Sequence, residues 1–528
     1  MPSVSLTDHI ARSNRLNNSG GCYPNALAHA TTLAIMLKKL AKVDAKTRPA
    51  MTAVAMFMWL TQDWKQISTP KDIPDFVKIS GATPCQENTF RTYFDGTLSW
   101  AEYARPCKYK KHIMYLWQPM PTYLNTFFQK FISVQSYDTP FLSPTGKVHL
   151  FELMKSTWKT PSTLTKHPRM HKDTFQHYFI NCARADNTLG AIVRLQLIAP
   201  DKAHHTSAMY YQQLNSDRIR YKLFDAHNRY LSRLIDEARN AQLFAHFELF
   251  LKGISINLIK ASIKKAGYLS QPGEISQFEL DTAQNGINKK RIPATLIGSL
   301  RSLEDNHVSQ FFHELHTLVE SAHQSTFVKA GSKNTQNVNK SALRDYYNYA
   351  TYRIALLFIA LTGARPTHSI SILSVYYSDS DITFIKDKGR LRQLLLCDYL
   401  QQEINQYLLL QSVVRSQLNI HTELDELWYK CDEKNTPTPL TSRELRLFMA
   451  KVWPGIVPYQ LRHFFCHCAN SHTFSEKLFD QDIDRLMGHE NLGERLGSDM
   501  LFPARFDAMK SYLNSLPERL GLKALTYV

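Results

Sequence analysis

Apolar residues recur at three- and four-residue spacing along most of this chain, and strict alternation is confined to short runs. That pattern predicts a mainly helical protein. Residues Pro24 to Trp64 show it first, through Leu33, Met36 and Leu40. It strengthens from Ser216 to Lys265, where Leu223, Tyr230, Leu231, Leu234 and Ile235 share one face. Further along, Ser341 to Leu361 reads as a helix ending at Gly363, and Leu400 to Leu418 as another. Thr441-Ser-Arg-Glu444 has the form of a capping box and opens a helix running to Trp453. Helices are also expected over Tyr459–Asn470, Phe474–Met487 and Ala504–Leu516. Between them, Asp381–Lys386 and Leu391–Leu396 read as two short strands around the turn Asp387-Lys388-Gly389-Arg390.

Punctuation divides the chain. Pro and Thr interrupt the pattern between Ser68 and Pro84, and Pro140 to His177 is rich in turn residues. Val328 to Lys340 is polar, rich in Asn, Ser and Lys, and flanked by strong helices, which marks a linker. The expected organisation is an N-terminal helical extension over 1–200, a helical DNA-clamping segment over 201–327, the linker 328–340, and one compact domain over 341–528. No internal repeat is visible.

Charge changes the picture. The 528 residues carry 63 Lys and Arg against 46 Asp and Glu, a net +17. Such a chain attracts polyanions, and no polybasic block adjoins an amphipathic stretch, so nucleic acid is preferred over anionic membrane as the partner. Arg218, Arg220, Lys222 and Arg229 lie among the apolar positions of the middle helix, where basic side chains fit a duplex backbone or an ordinary solvated face. Arg105 to Lys111, beside Tyr103 and Tyr109, is a second basic patch open to the same two readings. The eight cysteines form no disulfide framework. The first residues lack a signal-peptide pattern, and the longest apolar runs, near 50–60 and 354–364, are too short to span a bilayer. A soluble protein of a reducing cytoplasm or nucleoid is expected.

Three motifs carry candidate chemistry: Leu361-Thr-Gly-Ala-Arg365-Pro366, Tyr459-Gln-Leu-Arg462-His463 and Leu486-Met-Gly488-His489. Their order (helix, Thr-Gly-x-Arg, Lys-bearing hairpin, capped helix, x-x-Leu-Arg-His, Gly-His) resembles the catalytic domain of the tyrosine recombinases, the phage-integrase family, over roughly residues 341–516. The resemblance implies a mainly α, multidomain protein with a small β-hairpin or sheet and a C-terminal tyrosine-recombinase-like catalytic domain. It implies cutting and rejoining of double-stranded DNA through a covalent 3′-phosphotyrosyl link, without metal or other cofactor. It also implies assembly as a homo-oligomer on DNA, with partner recombinases as an alternative. Arg365 and Arg462 would clamp the non-bridging phosphate oxygens, since guanidiniums fork onto such oxygens and stay charged. Lys388, or Lys386 two residues earlier, would protonate the departing oxygen, and His489 would hydrogen-bond the phosphate or assist the nucleophile. Arg390 and His463 would support DNA contact.

Two positions depart from the pattern. Tyr459 stands where histidine is usual. The nucleophilic tyrosine, expected about nine residues after His489, is missing: Ser498 and Asp499 occupy that region, and the later tyrosines are Tyr512 and Tyr527. Four readings follow. Tyr512 acts from a displaced position; Tyr527 acts, in the same or a neighbouring subunit; the tyrosine has been replaced; or cleavage is lost and DNA binding kept. A topoisomerase-like enzyme that cuts and reseals one strand is a further alternative. His463, Cys466, His467, Cys468 and His472 superficially suggest metal ligands, but Cys466 and Cys468 cannot share a helix face, so a packed helix is the better account. Walker, dinucleotide-binding and His-Glu-x-x-His patterns are absent from the sequence.

Overall fold

The computed structural model describes residues 26–94, 99–109, 112–157, 175–186, 188–197, 211, 213–243, 247, 273–283, 286–299, 301–326, 339–369, 372–387, 390–422, 424–471, 478, 480–488 and 503–525. The chain divides into two compact units, one of residues 1–203 with 214–297, the other of 204–213 with 298–528. Helices predominate, accompanied by several small sheets. Among the described residues no helix is long and apolar enough to cross a membrane.

In the first unit, α1 (Ala26–Leu40) and α2 (Arg48–Thr61) are buried over most of their lengths. A proline in the first turn of α2 suits its start, because the missing N–H has no intrahelical acceptor there. A four-stranded sheet follows, in the order β1 (Val77–Lys78), β2 (Thr89–Phe94), β3 (Ser99–Tyr109), β4 (His112–Pro119). β1 runs parallel to β2, and the other pairs are antiparallel. Phe57 of α2 packs edge-on against Phe90 and Tyr103 of the sheet at 4.6 and 5.0 Å. Residues 1–200 were expected to be helical, and this sheet is the main difference. Its alternation is disguised because the inward positions are not all apolar: Arg91 of β2 faces Glu102 of β3 in register, and both are buried.

Arg220 completes that buried group. It lies on α3 (Ser216–Asn240), whose first turn is capped by the Asn215 side chain accepting from the Arg218 N–H at 2.7 Å. The Arg91 Nε donates to Glu102 at 2.8 Å, and the Arg220 Nη2 to the other Glu102 oxygen at 3.1 Å. Arg220 also donates to the carbonyls of Trp117 and Ile275. The Arg220 guanidinium, expected on a DNA-facing surface, is engaged inside the unit. Arg218 and Lys222 are half-buried on the same helix, and Arg105 donates to the Gln196 carbonyl.

The second unit is organised around α5 (Lys340–Thr362), with α4 (Asp305–Thr326) packed along it. From Ile354 to Leu361 every side chain of α5 is fully buried, the mark of a helix enclosed on all sides. Each large apolar side chain there contributes roughly 1.5–3 kcal/mol relative to exposure. Asn339 caps α5 by accepting from the Ser341 and Ala342 N–H groups. The hairpin strands are β5 (Ile382–Asp387) and β6 (Arg390–Leu395), registered so that Asp387 pairs with Arg390. Then come α6 (Asp398–Leu418), α7 (Ser442–Val452), α8 (Pro458–Ser471), α9 (Asp480–Met487) and α10 (Pro503–Arg519). The Thr441–Glu444 capping box forms at the start of α7. The compact division thus differs from the sequence reading: residues 214–297 belong with the N-terminal part, and α4 belongs with the C-terminal part.

Candidate phosphate site

Helix α5 must stop where Arg365 is to be used, and Gly363 stops it. Gly363 has φ +64°, and an added Cβ would lie 2.5 Å from the Phe465 ring, so both conformation and space require glycine. Two residues later, Arg365 is nine-tenths buried. Its Nη1 donates to the Asp387 carboxylate at 2.5 Å. Burial opposes its charge, but Asp387 more than offsets this and holds the guanidinium above its usual pKa.

Arg462 reaches the same place from the first turns of α8. It is fully buried, and its guanidinium donates to the carbonyls of Gly363 and Met487. These acceptors are terminal carbonyls of α5 and α9, groups without an intrahelical partner and at the negative end of the helix dipole. Arg392 of β6 performs the same task beside it, donating to Leu486 O and to Asp387. Gly488, at φ +63°, has room for no Cβ, because one would lie 2.5 Å from the Arg392 guanidinium. Arg462 therefore ties the ends of α5 and α9 together, and Arg392 ties α9 to Asp387 of β5, beside the positive centre.

That centre faces phenols. The Tyr211 ring lies 4.9 Å below the Arg462 guanidinium carbon and 4.8 Å from the His463 ring. Its hydroxyl shares a hydrogen bond with the Tyr459 hydroxyl. Burial works against ionisation of Tyr211, but the Tyr459 hydrogen bond and the guanidiniums of Arg462 and Arg365 bring its pKa below the ordinary phenol value. Tyr459 moves the other way: burial, then its hydrogen bond with Tyr211 and that ring's charge, raise it. Burial lowers Arg462, and repulsion from Arg365 lowers it further. His463 is pushed down to about 4 by burial and by Arg301 and Arg462. Its Nδ1 shares a 3.1 Å hydrogen bond with the Ser299 hydroxyl.

The structure brings together Arg365, Arg462, Tyr459 and His463. His463, expected to support DNA contact, is only 3% exposed and backs Tyr211. Lys386 is exposed on β5, on the strand face opposite the buried Asp387. Lys388, His489, Ser498, Asp499 and Tyr527 lie outside the described residues, as does the Arg390 side chain. Tyr512 is elsewhere: it is fully buried on α10, donates its hydroxyl proton to the Phe465 carbonyl at 2.8 Å, and has its pKa raised well above the ordinary value, first by burial. Acting as a nucleophile would require it to leave the core.

Sequence reasoning missed Tyr211, Asp387 and Arg392. Asp387 was visible only as a turn residue, and Arg392 as one of several basic residues in a strand. Tyr211 lies 248 residues from its hydrogen-bond partner Tyr459, in a segment with no motif of its own. Among the described residues no group of three or more His, Cys, Asp or Glu side chains could hold a metal ion. Arrangements of this kind can hold one tetrahedral anion: two guanidiniums, one from the turn after α5 and one from α8, supply donors, and two phenols supply further hydrogen bonds.

No protein-family model matches the chain, and no curated protein matches it. Among solved structures it is similar to the XerH site-specific recombinase bound to its difH substrate in a pre-cleavage complex. The identity is 13%, the match covers 60% of this chain and 88% of that one, and the TM-score is 0.25. The XerH post-cleavage complex with a palindromic difH substrate matches at 14% identity, over 62% of this chain and 92% of that one, also with a TM-score of 0.25. Likeness at this TM-score decides nothing about what the chain does.

Proposed function

We propose that the second unit binds a DNA phosphodiester between Arg365 and Arg462 and carries tyrosine-recombinase-type cutting and rejoining of DNA strands. One observation carries this reading: the two motif arginines, 97 positions apart in sequence, are both buried at one place, with Arg462 donating to the carbonyl of Gly363, two residues before Arg365, and lying over the Tyr211 ring at 4.9 Å. Two guanidiniums gathered at one buried place suit an anionic ligand, which would add to the charge that Asp387 supplies. The partner is double-stranded DNA, for which the net charge of +17 supplies long-range attraction. Several copies would assemble on one DNA site, because strand exchange needs more than one cutting centre.

A second reading is favoured by one specific observation, the burial of Tyr512. On that reading the unit grips DNA without cutting it, alone or beside an active recombinase.

The test is DNA binding and covalent capture with Arg365→Ala and Arg462→Ala. Each variant is expected to weaken DNA binding by about tenfold or more and to abolish any covalent adduct. Binding by the intact chain should also fall steeply as salt rises. Near-normal binding in both variants would sink the phosphate assignment.

A further inference from the structure

We propose that Tyr211 is the phenolic nucleophile of this site, delivered from the segment that precedes α3 rather than from the C-terminal side of the motifs. The proposal rests on the phosphodiester reading above and adds to it the identity of the attacking atom.

Position is the first argument. Among the described residues, Tyr211 lies under the Arg462 guanidinium at 4.9 Å and shares a hydrogen bond with Tyr459, and its phenol feels the charge of both Arg462 and Arg365, the groups that would hold the scissile phosphate. A phosphate held by the two guanidiniums would have that oxygen beside its phosphorus. The ring is fixed for this: His463 lies against it at 4.8 Å, Arg462 at 4.9 Å, and Tyr459 at 6.0 Å. His463 is itself held by Ser299. A preorganised attacking group needs such support.

Chemical state is the second argument. A neutral phenol attacks phosphorus poorly, and ionisation is the usual obstacle near neutral pH. Tyr211 is the member of the phenol pair drawn toward the phenolate, while Tyr459 is drawn away from it. In the step, the Tyr211 proton passes through the Tyr459 hydroxyl to water. The phenolate oxygen forms a new bond to phosphorus, and the bond from phosphorus to one sugar oxygen breaks. The electron pair of that bond stays on the sugar oxygen, which takes one proton from water and leaves as an alcohol. Arg365 and Arg462 stabilise the charge that builds on the two non-bridging oxygens. Tyr512 offers a contrast, since its hydroxyl is already given to a backbone carbonyl in the core.

The test uses the full chain and a pool of short random-sequence duplexes, each carrying a nick so that the cut fragment diffuses away and the adduct is trapped. Retention of the pool on a filter reports binding. Denaturing gels report the adduct, and fragmentation mass spectrometry of the nucleotide-bearing peptide locates it. The expected result is modification at Tyr211, together with loss of the adduct by about a hundredfold or more in Tyr211→Phe. The circular dichroism spectrum should stay close to that of the unaltered chain, and pool retention should fall far less than the adduct does. An adduct on Tyr512, Tyr210 or any other residue would overturn the proposal while leaving the cutting reading intact. An adduct that persists in Tyr211→Phe with tighter DNA retention would also overturn it, and would make Tyr211 a plug of the anion site. Retention without any adduct in the unaltered chain would overturn both the proposal and the cutting reading, leaving the grip on DNA. Because mass spectrometry is done on the unaltered chain, a folding defect in Tyr211→Phe cannot mimic the expected result.

Discussion

Arg91 and Arg220 in the first unit and Arg365 and Arg462 in the second are both buried arginine pairs, and the two pairs are satisfied differently. In the first unit Arg91 and Arg220 share the carboxylate of Glu102, and all three side chains are almost completely shielded from water. The remaining donors go to carbonyls such as Phe278 O and Ile275 O. In the second unit Asp387 answers Arg365 and Arg392, while Arg462 is anchored on the carbonyls of Gly363 and Met487. Carbonyls fix a guanidinium in place but do not neutralise it. The contrast is between a guanidinium pair closed around one carboxylate and a pair held in part by helix-end carbonyls.

Removing Glu102 should break the comparison most strongly. Glu102→Ala leaves two guanidiniums buried without their carboxylate and should cost about 3–5 kcal/mol of stability. Urea unfolding checks this, and a loss below about 1 kcal/mol would mean that Glu102 does not hold the two guanidiniums in the core.

Acid should reach both units through histidines held neutral by burial. His227 of the first unit is pushed down to about 3 by burial and by Arg105, and His463 of the second to about 4. Both folded values lie below the ordinary 6.5, so the unfolded chain takes up these protons first. Their contribution to stability is present above about pH 6.5, falls as the pH drops, and levels off below the folded values. Unfolding midpoints measured across that range should decline toward acid, with His463→Gln removing part of the decline. An unchanged profile in that variant would show that His463 is not the group responsible.

The smallest effect sharpens the second unit. Asp387→Asn withdraws the carboxylate from Arg365 and should raise DNA affinity by about threefold, under 1 kcal/mol. Equal or weaker binding would mean that Asp387 does not compete with the anion.

The hydrophobic pattern was enough to place most of the second unit's helices. The fully buried run in α5, the Gly363 stop and the Thr441–Glu444 cap are local signals, each readable within a few residues. The first unit was less legible because its sheet puts Arg91 and Glu102 at inward positions, where polar residues mask alternation. Arg220 misled for a related reason: a basic residue on an amphipathic helix looks solvated until the sheet that receives it is known.

By itself the sequence determined which residue types could handle a phosphate, the net positive charge and the boundaries of most helices, since these depend on identity and short-range spacing. Only the tertiary structure decided which charges are already answered, that Tyr512 lies in the core, and that Tyr211 meets Tyr459 across 248 positions of chain. The physical reason is that burial and partner choice are set by contacts between distant segments, and side-chain chemistry takes its final form only after those contacts exist.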